Sequence, residues 1–137
     1  MLTLVLAQSA LEVVPSTLVR HPTVVAYSKR MGRKPEKVLL DRSYHHAVMG
    51  RLDEAERRGR PDIIHATLLS ALGTPLNKEG LLRIVIHTFD EHAIYLDQSV
   101  RIPRNYNRFV GLMEQLYEFG RVPRDGKQLL SLRRRSF

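Results

Sequence analysis

An almost wholly apolar, aliphatic run at residues 2–8 is the feature that most restricts the fold of this 137-residue chain. A continuous apolar run, without alternation of apolar and polar residues, is typical of a strand buried on both faces, as in a parallel sheet. We therefore expect an α/β fold, with a mainly parallel sheet and flanking helices.

The length and composition are those of one globular domain. With 137 residues and a hydrophobic fraction of 43%, the chain can bury a sizeable core. No apolar run approaches the roughly 20 residues that a membrane helix needs, so no membrane partner is expected. There is no cysteine, which excludes disulfides and thiolate metal sites. We expect a cytoplasmic protein, or a nucleolar one if the source is eukaryotic.

Paired histidines, His45 and His46, are the residues that most suggest a metal site. Adjacent residues of a helix point about 100° apart, so the two rings cannot easily share one ion. No His-x-x-x-His pair occurs elsewhere in the sequence. We therefore predict no metal site.

Basic residues are concentrated in the last third of the chain. The net charge is +8, and residues 101–137 contain nine basic side chains and only three acidic ones. A localised basic surface indicates binding to nucleic acid or another polyanion. An acidic protein partner or a ribosomal one would require the same charge.

The segment 100–109 places three arginines, Arg101, Arg104 and Arg108, around a proline. Pro103 stiffens the backbone between the first two. Asn105 is a candidate N-cap for a helix that ends at Gly120. Guanidinium groups held in this way suit phosphate oxygens. The alternative is a solvated helix start with scattered arginines.

A second helix is predicted to begin at Pro61, since proline is favoured at the first helical position, and Gly73 is predicted to close it. Asp62 then lies in the first turn, where the helix dipole stabilises a carboxylate, and Arg60 just ahead of it is expected to form a compact cation–carboxylate pair with it. The residues alone favour this structural role for Asp62.

Several stretches together resemble one family. They are residues 4–12, 39–46, 60–65, 74–80 and 100–113. In order and spacing they are similar to the ribosome-biogenesis pseudouridine N1-methyltransferases. This nucleolar essential protein family is a branch of the SPOUT (α/β-knot) methyltransferases, and residues 39–46 resemble its archaeal-type members.

The resemblance implies methyl transfer from S-adenosylmethionine to N1 of a pseudouridine in small-subunit ribosomal RNA. It implies a homodimer in the complete protein, with ribosomal proteins as further candidate partners. The RNA-contacting arginines would be Arg60, Arg101, Arg104 and Arg108, and Asp62 would lie at the target base. Tyr106 could stack on a base or serve in packing.

The family's later part carries the knot, the glycine-rich donor loop and most of the dimer interface, and nothing in this chain matches it. We therefore expect residues 1–137 to be a single domain, the RNA-binding N-terminal part of the SPOUT fold. The donor-binding half is expected to be absent, no residue here is assigned to the donor, and this piece alone is expected to be inactive. The competing hypothesis is a non-catalytic RNA-binding factor for small-subunit assembly.

Overall fold

The computed structural model shows an α/β fold in which helices flank a five-stranded sheet. It describes residues 1–135, so residues 136 and 137 of the predicted domain lie outside the described part. The strands are β1 (Leu2–Ser9), β2 (Leu82–Thr88), β3 (His92–Leu96), β4 (Arg121–Val122) and β5 (Leu130–Arg134). The helices are α1 (Pro22–Met31), α2 (Arg42–Met49), α3 (Pro61–Leu72), the single turn α4 (Pro75–Lys78) and α5 (Tyr106–Phe119).

The strand directions correct the prediction of a mainly parallel sheet. The order is β1-β2-β3-β5-β4, and only β1 and β2 are parallel. The other three pairings are antiparallel. The physical reason is the tight turn between β2 and β3, where Glu91 takes a left-handed φ of 64° and returns the chain beside β2. The α/β class with flanking helices is confirmed, and the parallel character is limited to one pair.

β1 was expected to be buried on both faces, whereas within residues 1–135 it is only partly covered. Leu4 and Leu6 pack against the main core, but Leu2 is 56% and Val5 42% exposed. Within residues 1–135, β1 lies at the end of the sheet and pairs only with β2. An aliphatic run indicates a strand but does not determine the position of that strand in the sheet.

The predicted helix starts and stops are confirmed. Pro61 begins α3 and Gly73 follows it. The Asn105 side chain caps α5 by accepting from the Arg108 N–H at 3.0 Å. Gly120 ends α5 in the left-handed conformation, with φ 78°, which glycine adopts without strain.

The main core lies between one face of the sheet and the helices α3 and α5. It joins buried residues of the strands to side chains such as Ile64 and Leu68 of α3 and Phe109 and Met113 of α5. A second, smaller cluster packs α1 and α2 against residues 14–19 and 38–40. Because α3 and α5 share one core, their first turns are held in a fixed relation to each other.

None of the helices within residues 1–135 is long and apolar enough to cross a membrane.

Candidate nucleic-acid interface

The start of α3 presents a two-pronged ion pair to solvent. Arg60 Nε donates to Asp62 Oδ1 and Arg60 Nη2 donates to Asp62 Oδ2, both at 2.9 Å. The side chains are 44% and 50% exposed. The hydrogen bond from Arg60 holds the pKa of Asp62 below its usual range, and backbone N–H groups of the first turn act in the same direction. Asp62 is thus an ionised, oriented hydrogen-bond acceptor at neutral pH.

The arginine segment is fastened to α3 through its proline. His65, one turn after Asp62, places Nε2 at 2.7 Å from the carbonyl oxygen of Pro103. A carbonyl can only accept, so Nε2 carries the proton. The buried His65 ring also stacks on Phe109, with ring centroids 4.6 Å apart. These contacts fix the extended segment around Pro103 beside the start of α3.

Tyr106 is tied to a buried carboxylate. Its hydroxyl donates to Asp41 Oδ2 at 2.6 Å, and Asp41 Oδ1 accepts from the Ser43 N–H at the start of α2. Burial raises the pKa of Tyr106, and the hydrogen bond to Asp41 raises it further. Tyr106 therefore stays a neutral donor, held between α2 and α3. Its predicted stacking on a base stays a prediction. The ring is only half-buried, which leaves surface for such a contact.

Three of the predicted RNA contacts, Arg101, Arg104 and Arg108, are exposed. Within the described residues no carboxylate lies within 4.0 Å of their guanidinium groups, so the three forks are available to an anion. Arg101 and Arg104 line the same cleft, of about 630 Å3, beside the end of α3. Arg60 lines a different cleft, of about 550 Å3, between α3 and the end of β1. The structure therefore places three of the four predicted arginines in two clefts that flank α3, and Arg108 lines neither of them.

Three residues at this interface had not been identified from the sequence as site residues. Asp41 caps α2, and its partner Tyr106 is 65 residues away in the sequence. His65 and Lys78 lie in the stretches that carry the family resemblance, and Lys78 shares the cleft of Arg101 and Arg104. Their position in those stretches was the available signal.

The paired histidines have different environments. His46 is exposed, whereas His45 is buried and its Nδ1 accepts from the Asp41 N–H at 3.0 Å. Burial lowers the pKa of His45, which keeps the ring neutral. No group of three potential metal ligands occurs in the part of the chain that the structure describes, and the prediction of no metal site stays a prediction.

Residues 4–137 match the model of the family described as EMG1/NEP1 methyltransferase. The chain belongs to this family. Members of the family are also found among curated relatives and solved structures. The chain is 53% identical over 133 residues to the ribosomal RNA small subunit methyltransferase Nep1 of Pyrococcus furiosus, covering 97% of this chain and 59% of the relative. It is 53% identical over 136 residues to the Nep1 protein of Thermococcus onnurineus, covering 99% and 62%.

The fold of the family is shared as well. The crystal structure of Archaeoglobus fulgidus Nep1 bound to S-adenosylhomocysteine superposes with a TM-score of 0.88 at 42% identity. The match covers 94% of this chain and 58% of that structure. The chain thus spans about three-fifths of the length of the family members it matches.

Proposed function

We propose that this chain is the RNA-binding part of an S-adenosylmethionine-dependent methyltransferase that acts on N1 of a pseudouridine in small-subunit ribosomal RNA. The observation that carries the proposal is the close match to a Nep1 protein bound to S-adenosylhomocysteine. That compound is what remains of S-adenosylmethionine after its methyl group has been transferred. The named relatives, which are small-subunit ribosomal RNA methyltransferases, give the same reaction class.

The residues of this chain do not fit the methyl donor itself. The resemblance implies a glycine-rich donor loop, whereas the eight glycines of this chain lie at least six positions apart. We therefore assign no donor-binding residue within this chain.

Asp62 acts on the proton of the target base. Pseudouridine N1 carries a proton, which must be removed or polarised before the nitrogen can attack a methyl group. Each oxygen of the Asp62 carboxylate accepts one hydrogen bond from Arg60 and keeps a further lone pair for N1–H. Because Arg60 holds the pKa of Asp62 low, the carboxylate is a weak base and a good acceptor. Its proposed role is to orient and polarise N1–H.

The arginines hold the RNA backbone. Arg101, Arg104 and Arg108 are exposed and free of carboxylates in the described part of the chain, and Pro103 is fixed to His65 near Asp62. Guanidinium groups in this arrangement bind phosphates on either side of a target nucleotide. Arg60 contributes a fourth cation, whose free N–H group can reach the same strand.

The proposal extends to the whole protein. It includes a homodimer, ribosomal proteins as further partners, and a cytoplasmic location that would be nucleolar in a eukaryote. Sedimentation of the protein made from its complete gene, with and without small-subunit RNA, measures the first of these.

The deciding experiment is methyl transfer by the protein made from its complete gene. Labelled S-adenosylmethionine and unmethylated small-subunit RNA are the substrates, and mass spectrometry locates the product. We expect label on N1 of one pseudouridine. RNA binding without transfer to any nucleotide would instead support the non-catalytic assembly factor.

The arginines are tested in the same preparation by replacing Arg101, Arg104 and Arg108 with alanine. We expect weaker binding to all RNA sequences and a salt dependence reduced by about three units, roughly one for each lost phosphate contact. The matched control replaces Arg20 and Arg51, which are exposed arginines outside the segment. Unchanged binding by the triple variant at several salt concentrations would remove these arginines from the interface.

A further inference from the structure

Gly111 occupies a position that the protein's own packing does not explain. It lies inside α5, where glycine is less favourable than any other residue except proline. A Cβ atom placed on Gly111 would meet no other atom within 4 Å, so no neighbour within the chain requires its absence. Its backbone is helical, so no left-handed conformation requires glycine either. The missing side chain leaves space in front of the helix.

That space is a cleft between α5 and the helices α1 and α2, which we call the tyrosine cleft. Its volume is about 210 Å3, and it is lined by Tyr27, Met31, Tyr44, Tyr106, Asn107, Val110, Gly111 and Glu114. Tyr27 and Tyr44 stack with ring centroids 4.5 Å apart and an interplanar angle of 28°. Since a cavity of about 150 Å3 can hold benzene, the tyrosine cleft has room for one flat heterocycle.

Two arginines neighbour residues that line the tyrosine cleft. Arg30 lies over the Tyr27 ring at 5.4 Å, and the exposed Arg108 follows Asn107 in the first turn of α5. The amide of Asn107 is exposed and makes no hydrogen bond within residues 1–135, so it can both donate to and accept from the edge of a base.

The acidic residue of the tyrosine cleft is already engaged. Glu114 Oε2 accepts from the Leu39 N–H at 2.9 Å, and Glu114 Oε1 lies 3.3 Å from Arg33 Nε. Burial raises the pKa of Glu114. The charge of Glu114 is therefore offset within the protein. An occupant of the tyrosine cleft would meet mainly basic and aromatic groups.

We propose that the tyrosine cleft holds one unstacked base of the bound RNA, close in sequence to the nucleotide at Asp62. This inference rests on the proposed function and adds a second base-binding position to it. Single-stranded RNA is commonly recognised by stacking of splayed bases on aromatic side chains. Tyr106 connects the two positions, because it lines the cleft while its ring lies 5.8 Å from that of His65, one turn after Asp62.

The test adds a side chain at Gly111, which lines the cleft, in the protein made from its complete gene. Gly111→Ala adds one methyl group and Gly111→Leu adds a larger side chain. Alanine should raise the melting temperature by about 2–5 °C, because it favours the helix. A loss of RNA affinity in a more stable variant cannot come from unfolding. Gln115→Leu, on the same helix but outside the cleft, is the matched control.

RNA oligonucleotides in which each base near the target is removed in turn identify the base that enters. With the unaltered protein, one such abasic site should weaken binding roughly tenfold, as expected for the loss of one stacked base. In Gly111→Leu, the intact RNA should bind roughly tenfold more weakly, and the same abasic site should have no further effect.

Two results would overturn the inference. One is a Gly111→Leu variant that binds intact RNA and discriminates the abasic site as the unaltered protein does, which would leave the cleft to a protein partner. The other is an equal loss on intact and abasic RNA, which would mean general crowding without base insertion. If methyl transfer persists in either case, the proposed function stands while the cleft assignment fails. If the unaltered protein neither binds nor methylates RNA, both fail.

Discussion

Two arginine–carboxylate pairs, whose arginines Arg58 and Arg60 are two residues apart in the sequence, lie in opposite environments. Arg58 donates from Nε and Nη2 to Glu12 at 2.9 and 2.6 Å, and the side chains are only 13% and 3% exposed. Arg60 donates to Asp62 from the same two nitrogen atoms, Nε and Nη2, but both side chains are about half exposed. The chemistry of the pairs is the same, so burial alone distinguishes their roles.

Burial makes the first pair part of the scaffold. Arg58 also lies over the Phe89 ring at 4.6 Å, so it joins the segment after β1 to the turn after β2. Burial raises the pKa of Glu12 although Arg58 is beside it, whereas the pKa of the exposed Asp62 is lowered by Arg60. The buried pair holds the chain that leads to α3 in place, and the exposed pair is left available to a ligand.

The largest effect is expected from breaking the buried pair. Arg58→Ala leaves Glu12 buried without its partner, and loss of one member of such a pair typically costs about 3–5 kcal/mol. Urea unfolding at neutral pH measures the free energy of unfolding. The destabilisation should shrink as pH falls, because Glu12 can then take up a proton.

A double replacement separates charge from packing. Glu12→Leu combined with Arg58→Met removes both charges and keeps a long side chain against Phe89. Such exchanges of a buried pair for apolar residues are often neutral or stabilising. If the double variant is as unstable as Arg58→Ala, the pair's contribution is geometric and the comparison by burial is wrong.

A smaller effect, and one of a different kind, is expected from the exposed pair. Asp62→Asn keeps the shape of the side chain and loses mainly the helix-dipole contribution of about 0.3–1 kcal/mol. RNA affinity should be nearly unchanged. Single-turnover methylation by the protein made from its complete gene should slow by roughly 10- to 100-fold, less than for a full general base, because the carboxylate orients N1–H.

Stability, RNA affinity and rate have to be measured on one preparation of this variant. A normal transfer rate in Asp62→Asn would remove Asp62 from the mechanism. A slow rate that follows lost stability would return it to the structural role that the sequence alone favours.

The contrast between the two pairs also shows what sequence could predict. The start of α3, its proline and the pair of Arg60 with Asp62 are local, and short-range signals were sufficient to predict them. The pair of Arg58 with Glu12 spans 46 residues, and nothing in the sequence connects them. Its existence depends on how β1 and β2 are placed, which is a property of the sheet.

The same limit applies to the fold and to the candidate site. Helix ends followed from capping residues, whereas the prediction of a mainly parallel sheet is not met within residues 1–135, because strand direction depends on long-range pairing. The predicted arginines are exposed, as phosphate contacts must be. The contact of Asp41 with Tyr106 and the cleft beside Gly111 could not be predicted from the sequence, because each is formed by elements that are distant in the sequence.

The smallest effect is expected in the pH dependence of stability, where the two carboxylates should act with opposite signs. The folded-state pKa of Glu12 is raised above its ordinary 4.5 by burial, so the folded protein takes up this proton first. Stability should therefore rise as pH falls from that raised pKa towards 4.5. The folded-state pKa of Asp62 is lowered below 3.8 by the hydrogen bond from Arg60, so its contribution is present above pH 3.8 and lost below it.

Carbon-detected NMR titration of the two carboxyl groups measures both signs directly. We expect the Glu12 midpoint above 4.5 and the Asp62 midpoint below 3.8, with Glu12→Gln and Asp62→Asn used to assign the signals. Urea unfolding between pH 3 and pH 7 measures how the free energy of unfolding changes with pH. The contribution that rises towards low pH should be missing in Glu12→Gln, and the one that falls towards low pH should be missing in Asp62→Asn. If both midpoints lay below these values, the neighbouring arginine, and not burial, would determine the ionisation of both groups. The buried pair would then be as charged as the exposed one, and burial could no longer explain why only Asp62 is available to a substrate.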